Sequence, residues 1–409
     1  MKTDPGAEKS RTMPVSIILI LSIVLFSALL AAGCDEPPDN HIVIVKLTPN
    51  ATVEWTEMLD SGGGDLAYRM IQTPDDNIAI FCSLKNFKGL VKLSRSTGKM
   101  LWKTSLSEQG CGSILTTGRN GDIISAGGPN ICRINSDGVV VWNRTTQLDG
   151  SALSILETSD GGYIVGGIKT DFYVPQTIYV SREGTVYENV TPELSEREKR
   201  QNGIPVTHII LARFDSRGNV VWDTVLVSAV ASNRIITIDL ENEQGYVIQT
   251  ENQVIRLDEQ GTLISTKNID SIPGSDTGSP SEPNLKHYGS LSEQNLQYFV
   301  YPTDFIFYNP LGDAVVKQSL KKISVVSGTD EGGYIAAGFP GDNSLSRIFH
   351  SRAREGNLHV IKIRGDGSRE WDEPVYGVTV NTVDQIIQTS DGGYALMCAN
   401  DKRWDYLSK

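Results

Sequence analysis

An all-β fold assembled from one repeated four-stranded unit is what this sequence predicts, and three observations carry the prediction. A first type of hairpin, with a turn glycine and a tryptophan four residues after it, recurs in seven variants. A second type, typified by the turn in SDGGYIVGG (159–167), also recurs seven times and alternates with the first. Together they make units of about 40–50 residues with four short strands each, the signature of a β-propeller. Glycine at these turns supplies the positive φ that tight hairpin connections demand.

The first hairpins are KLTPNATVEW (46–55), KLSRSTGKMLW (92–102), RINSDGVVVW (133–142), RFDSRGNVVW (213–222), RLDEQGTLIS (256–265), YNPLGDAVV (308–316) and KIRGDGSREW (362–371). Glycine holds the turn at Gly98, Gly138, Gly218, Gly261, Gly312 and Gly367, and Ala51 is the exception. Trp55, Trp102, Trp142, Trp222 and Trp371 read as apolar mass packed between blades. The second hairpins are TPDDNIAIF (73–81), GRNGDIISAGG (118–128), SDGGYIVGG (159–167), NEQGYVIQ (242–249), SEQNLQYFV (292–300), DEGGYIAAG (330–338) and SDGGYALMC (390–398).

The phase of the repeat decides how the ring closes. If the run before the DGGY-type turn is the innermost strand, residues 41–58 cannot begin a blade. They supply the outer strands of a blade whose inner strands are residues 382–399, which removes the open sheet edges that invite aggregation. The expectation is therefore a seven-bladed β-propeller over 41–403, its last blade closed by the N- and C-terminal hairpins, with a tail at 404–409. Eight blades is the alternative, because 80 residues separate Gly138 from Gly218 and IYVSREGTVYEN (178–189) looks like another first hairpin. No second hairpin follows it, which favours an insertion into a seven-bladed ring.

Residues 1–13 are polar with three basic side chains, and residues 14–33 carry no charge. Small residues then precede Cys34. That is the layout of a secretory signal, and LLAAGC resembles the lipobox of prokaryotic lipoproteins, although Ala31 stands where leucine is commonest. The resemblance implies a signal or membrane segment at 1–33, lipidation of Cys34 and a lipid-anchored linker over 34–40, with Pro37-Pro38 as a stiff spacer. An uncleaved apolar anchor is the alternative, since about 18–20 apolar residues can span a bilayer. Either way the globular part is expected outside the cytoplasm, at the cell envelope or surface.

The repeats themselves resemble a family of propeller repeats common in bacterial and archaeal secreted and surface proteins. SRSTGKMLW (94–102) also resembles the tryptophan-docking repeat of PQQ-type propellers. A lipid-anchored propeller of this type is similar to the propeller lipoprotein of the outer-membrane barrel assembly machine, which implies a scaffold rather than an enzyme. Quinoprotein dehydrogenases share the repeat, but no adjacent cysteine pair and no calcium-binding cluster stand here, so no cofactor is expected.

Composition agrees with a folded, turn-rich chain: 39% hydrophobic, 21% charged and 39 glycines among 409 residues. The net charge of -12 opposes a phosphate backbone, which argues against nucleic acid. Three insertions, at 169–206, 268–287 and 339–357, fall between second and third strands or between blades. They therefore share the face opposite the tight turns, and loop decoration on a rigid scaffold is where function is usually placed. The first carries Phe172, Tyr173, Tyr179 and Tyr187, followed by TPELSEREKR (191–200), whose Thr191-Pro192 start predicts a short helix. The second, SIPGSDTGSPSEP (271–283), has linker composition. The third gathers Arg347, Phe349, His350, Arg352 and Arg354 in an otherwise acidic chain, a set suited to an anionic ligand. With Tyr173 and Tyr179, these five are the candidate ligand-binding residues; packing of the first insertion onto the propeller and a solvated basic loop at the third are the competing roles.

Catalytic signals are poor. The five histidines (His41, His208, His287, His350, His359) show no metal-ligand spacing, so no metal is expected, and no GxSxG elbow, P-loop or GxGxxG is present. Cys82 and Cys398 occupy one repeat position and read as small core residues. Cys111 and Cys132 fall in one blade with a strand between them, at about 9–10 Å, which predicts no disulfide. Arg364-Gly365-Asp366 sits in a repeat turn and is read as part of it. Sequons at Asn50, Asn143 and Asn189 allow N-glycosylation in a host that performs it. The function expected is a monomeric envelope module that binds a protein or glycan with its loop-rich face. A glycan-processing or quinone-type redox enzyme and a structural surface protein are the alternatives.

Overall fold

A computed structural model describes residues 40–118, 120–145, 151–173, 178–180, 186–188, 204–227, 235–240, 245–250, 253–268, 287–291, 296–300, 305–308, 314–318, 323–339, 358–365 and 368–401. The described residues are all-β, with no helix among them. The chain enters on β1 (Asn40–Leu47) and β2 (Val53–Leu59). The first complete sheet is β3 (Leu66–Gln72), β4 (Ile78–Leu84), β5 (Phe87–Leu93) and β6 (Met100–Ser105). The next is β7 (Ile114–Thr117), β8 (Ile123–Gly127), β9 (Asn130–Ile134) and β10 (Val140–Thr145). Strands β11 (Ser151–Glu157) and β12 (Tyr163–Tyr173) follow, then a separate hairpin of β13 (Ile178–Val180) and β14 (Val186–Glu188). Strands β15 (Ile204–Phe214) and β16 (Val220–Val227) complete the sheet of β11 and β12.

Three more units repeat the pattern. One holds β17 (Ile235–Leu240), β18 (Gly245–Thr250), β19 (Gln253–Asp258) and β20 (Leu263–Asn268). Another holds β21 (His287–Leu291), β22 (Leu296–Val300), β23 (Phe305–Tyr308) and β24 (Ala314–Gln318). The third holds β25 (Ile323–Gly328), β26 (Tyr334–Gly338), β27 (His359–Ile363) and β28 (Arg369–Pro374). Finally β29 (Thr382–Gln388) and β30 (Tyr394–Asp401) join β1 and β2 in the order β2-β1-β30-β29. β1 and β30 run antiparallel from Asn40 opposite Asp401 to Leu47 opposite Tyr394, so the two ends of the described chain share one sheet.

These four-stranded antiparallel sheets are the blades of a β-propeller. The innermost strands touch in the order β25, β29, β3, β7, β11, β17 and β21. The core is correspondingly divided into layers between sheets. Ile42, Ile44, Met70, Ile78, Ile80, Val91 and Met397 fill one layer. Ala79, Phe81, Leu90, Ile123, Cys132 and Ile134 fill the next. Each large side chain so buried contributes about 1.5–3 kcal/mol.

The tryptophans couple neighbouring sheets through the turn glycines. A Cβ on Gly98 would stand 2.7 Å from the Trp55 ring, one on Gly138 2.8 Å from Trp102, and one on Gly261 2.7 Å from Trp222. All three glycines have φ between +71° and +84°, so the position demands glycine twice over, for backbone and for space. The indole N–H groups of Trp55, Trp102 and Trp222 donate to the carbonyls of Arg95, Ser136 and Glu259 in the same turns. Tyrosines of the second hairpin meet the ring edge-on, with centroids 5.8 Å apart for Trp222–Tyr246 and 6.0 Å for Trp371–Tyr394. Burial pushes the Tyr394 hydroxyl up to about 12. Ala51, the one non-glycine, still adopts φ +60°, and it is buried in the cluster against which Trp371 packs.

One expectation is corrected. Cys111 and Cys132 form a disulfide, with Cα atoms 6.1 Å apart. The strand-spacing argument fails because Cys111 is not on a strand. β7 begins only at Ile114, opposite Ala126, so the segment before it is free to cross the end of β8. Gly112 lies directly on Gly127: a Cβ added to either would meet the other's backbone within 2.6 Å. Two glycines thus let the chain pass over β8 and bring Cys111 level with Cys132 on β9. Cys82 and Cys398 are buried free thiols, and burial raises the Cys82 thiol to about 12.

Candidate binding face

In an antiparallel meander, the turn between the first and second strands and the turn between the third and fourth lie at one edge. The remaining connections lie at the other. The two edges are built from different chemistry.

The tight-turn face repeats itself. Thr73, Thr158 and Thr389 each donate a hydroxyl hydrogen bond to the aspartate two residues on: Asp75, Asp160 and Asp391. A basic residue from the third strand of the same sheet then pairs with that carboxylate. Lys92 meets Asp75 at 2.8 Å, Arg213 meets Asp160 at 2.6 Å and Lys46 meets Asp391 at 3.1 Å. In the sheet of β7 to β10 the same pairing is Arg133 with Asp122. Lys46 and Lys92 have buried side chains, so their charges rely on these partners. Partial burial opposes ionisation of Asp75, but hydrogen bonds from Lys92, Thr73 and Asn77 and the Lys92 charge outweigh it, leaving the carboxyl at about 2. Asp391 is held below the usual range in the same way, against burial, by Thr389, Gly393 and Lys46.

Side-chain amides extend this face between sheets. Gln72 accepts from the Ser390 backbone N–H at 3.0 Å, and Gln388 accepts from that of Asp330 at 2.7 Å. Deeper along the strand, Gln385 bonds both backbone groups of Met70, at 2.7 and 2.8 Å, as another peptide would. The polar groups named here are bonded within the propeller.

The opposite face is individual. The strand ends that flank residues 174–203, 269–286 and 340–357 lie on it, since β12 leads to β15, β20 to β21 and β26 to β27. The disulfide and three histidine–aspartate pairs lie on it too. His41 Nδ1 is 2.9 Å from Asp60, His359 Nδ1 is 2.9 Å from Asp372, and His208 Nε2 is 3.3 Å from Asp171. Each histidine lies near the start of a third strand, where the chain rises from this face.

Of the ligand-binding candidates, Arg347, Phe349, His350, Arg352 and Arg354 lie outside the described residues, as do Cys34, Asn189 and the helix expected at 191–200. Tyr173 is the last residue of β12, opposite Ile204, and Tyr179 sits in β13 opposite Tyr187. Both therefore belong to the insertion on the loop-bearing face. Asn50 is exposed at the β1–β2 turn, whereas the Asn143 amide already donates to the Gln109 carbonyl at 3.1 Å. Sequence reasoning missed the partnership of His41 with Asp60 and Asp65. The signal was the glycine-rich run DSGGGD (60–65), which returns two aspartates to one place.

Comparison with known proteins adds a partial match. Residues 52–184 match the family model described as outer membrane protein assembly factor BamB. No curated protein sequence matches the chain. Among solved structures, a streptogramin B lyase is similar at 10% identity and TM-score 0.49, over 88% of this chain and 98% of that one. BamB from Moraxella catarrhalis is similar at 12% identity and TM-score 0.42, over 87% of this chain and 91% of that one. The Pan2 WD40 domain of Neurospora crassa is similar at 8% identity and TM-score 0.47, over 82% of this chain and 89% of that one. At such values no activity passes from any of them to this chain.

Proposed function

We propose that this protein is a seven-bladed, envelope-associated propeller, anchored through Cys34, that docks a protein partner on its loop-bearing face. The observation that carries the reading is the match of residues 52–184 to a family of outer membrane protein assembly factors. The Cys111–Cys132 disulfide supports an oxidising, extracytoplasmic location, because structural disulfides persist outside the reducing cytosol. The division of labour between the faces supports the choice of surface. The Thr, Asp, Lys and Arg groups paired on the tight-turn face bond within the propeller, whereas the strands that flank the three insertions end at the other face. A pre-formed scaffold of this kind loses little conformational entropy on binding.

The test is capture from a host envelope extract by the full chain, compared with a variant lacking 347–357. A protein partner retained by the first and lost by the second supports the reading. Capture of a glycan instead would move the partner class, and equal capture by both chains would remove 347–357 from the site.

A further inference from the structure

We propose that His41, Asp60 and Asp65 form a binding site for a divalent transition-metal ion of the Zn2+ type, which pins the ring-closing sheet to its neighbour. The inference is independent of the partner-docking reading and concerns different residues.

Two chain segments, the start of β1 and the loop from β2 to β3, bring the ligands together. His41 is the second residue of β1, Asp60 directly follows β2, and Asp65 directly precedes β3. Between the two aspartates, Gly62, Gly63 and Gly64 all take positive φ, at +83°, +137° and +70°. Only glycine adopts three such conformations in succession without strain, and the result is a loop that folds both carboxylates back onto the imidazole. The loop is fixed at each end. The Asp65 N–H donates to the Asn40 carbonyl at 3.1 Å, the Gly62 N–H donates to Asp60 at 2.8 Å, and the Ser61 hydroxyl and N–H both donate to Asp65.

The distances fit an ion. His41 Nδ1 lies 2.9 Å from Asp60 Oδ1 and 4.0 Å from Asp65 Oδ2, and one ligand atom from each residue falls within 4.8 Å of the others. Ligands bonded at about 2.0–2.2 Å in a tetrahedral shell stand roughly 3.3–3.6 Å apart, so shifts of about an ångström close the site. One imidazole with two carboxylates suits zinc and its first-row neighbours better than calcium or magnesium, which prefer oxygen alone. Asp60 is partly open to solvent while His41 and Asp65 are fully buried, which leaves one side for entry and for a water as fourth ligand.

Charge balance points the same way. Asp75, Asp122, Asp160 and Asp391 all meet a lysine or arginine. For Asp65, whose side chain is completely buried, the ion pair among the described residues is His41 at 4.0 Å. Burying the Asp65 carboxylate is costly unless it is compensated, and a divalent ion at this place compensates it. Among the described residues, the other two histidine–aspartate pairs lack a second carboxylate, and they are more exposed.

The experiment uses the full chain in detergent, stripped with a chelator and titrated with Zn2+ by calorimetry, with thermal unfolding followed in parallel. One equivalent should bind and raise the Tm. His41→Gln, Asp60→Asn and Asp65→Asn should each weaken binding by more than the roughly 10–100-fold that loss of a mere supporting group costs. His359→Gln should leave binding unchanged. If Asp65→Asn fails to fold, Asp60→Asn, nearer the surface, still decides the matter. Absence of stoichiometric uptake by the native chain, or uptake equal in Asp60→Asn and the native chain, would overturn the site.

Discussion

The two faces of this propeller were made from the same repeat and have been put to different ends. On the tight-turn face, the Thr–Asp–basic arrangement recurs at Asp75, Asp160 and Asp391 with little variation, and Gln72 and Gln388 extend it to the next sheet. On the loop-bearing face, three described connections each do something different. One forms the Cys111–Cys132 disulfide, one folds Asp60 and Asp65 onto His41, and one carries the β13–β14 hairpin. Repetition marks what every blade needs in order to pack, and irregularity marks where the chain is free to specialise.

The comparison can be broken most severely through the disulfide. Cys132→Ser opens a link between residues 21 apart, and the lost constraint on the unfolded chain is worth about 3 kcal/mol. Chemical denaturation should show that loss, and the same loss should follow mild reduction of the native chain. A variant as stable as the native chain would mean that the crossing of Cys111 over β8 is held without the bond.

Next in size is the glycine under each tryptophan. Gly98→Ala forces a side chain into positive φ and into the Trp55 ring, and should cost about 2–3 kcal/mol in chemical denaturation. The reciprocal change, Ala51→Gly, relieves a strained φ of +60° but gives up a buried methyl and adds unfolded-chain entropy. It should stay within about 1 kcal/mol of neutral. A large loss in Ala51→Gly would show that the buried Ala51 methyl is needed to close the ring.

The ease of reading this molecule follows the same division. Glycine, tryptophan and the DGGY-type turn repeat because backbone sterics and interblade packing repeat, so the sheets could be read from spacing. The phase of that repeat placed residues 41–58 outside 382–399, and β1 does pair with β30. The disulfide could not be read, because it depends on two glycines, Gly112 and Gly127, passing in contact rather than on any periodicity. The His41 cluster was hidden for a related reason. His41 is separated from Asp60 and Asp65 by a whole hairpin, and only sheet register brings them together.

The smallest effect is a dependence on acid. The Asp75 carboxyl sits at about 2, below its ordinary 3.8, and Asp391 is also lowered. A depressed carboxylate stabilises the fold above its unfolded value, and that stability drains away as pH falls from near 4 towards 2. The Tm should therefore decline across this window. Lys92→Met removes the Lys92 contribution to Asp75, so it should lower the Tm at neutral pH and flatten the decline below pH 4. Because Asp75 is nearly half exposed, solvent screening keeps the effect modest.

The most direct test of the central claim, that one face binds and the other builds, is site-specific photo-crosslinking in the native envelope. Lys85, Glu108 and Tyr376 are exposed on the loop-bearing face, while Thr97, Arg217 and Gln260 are exposed on the tight-turn face. With a crosslinking residue at each position in turn, the account predicts that a common partner is trapped from the first three and not from the second three. A partner trapped from the tight-turn positions alone, or equally from both sets, would contradict it.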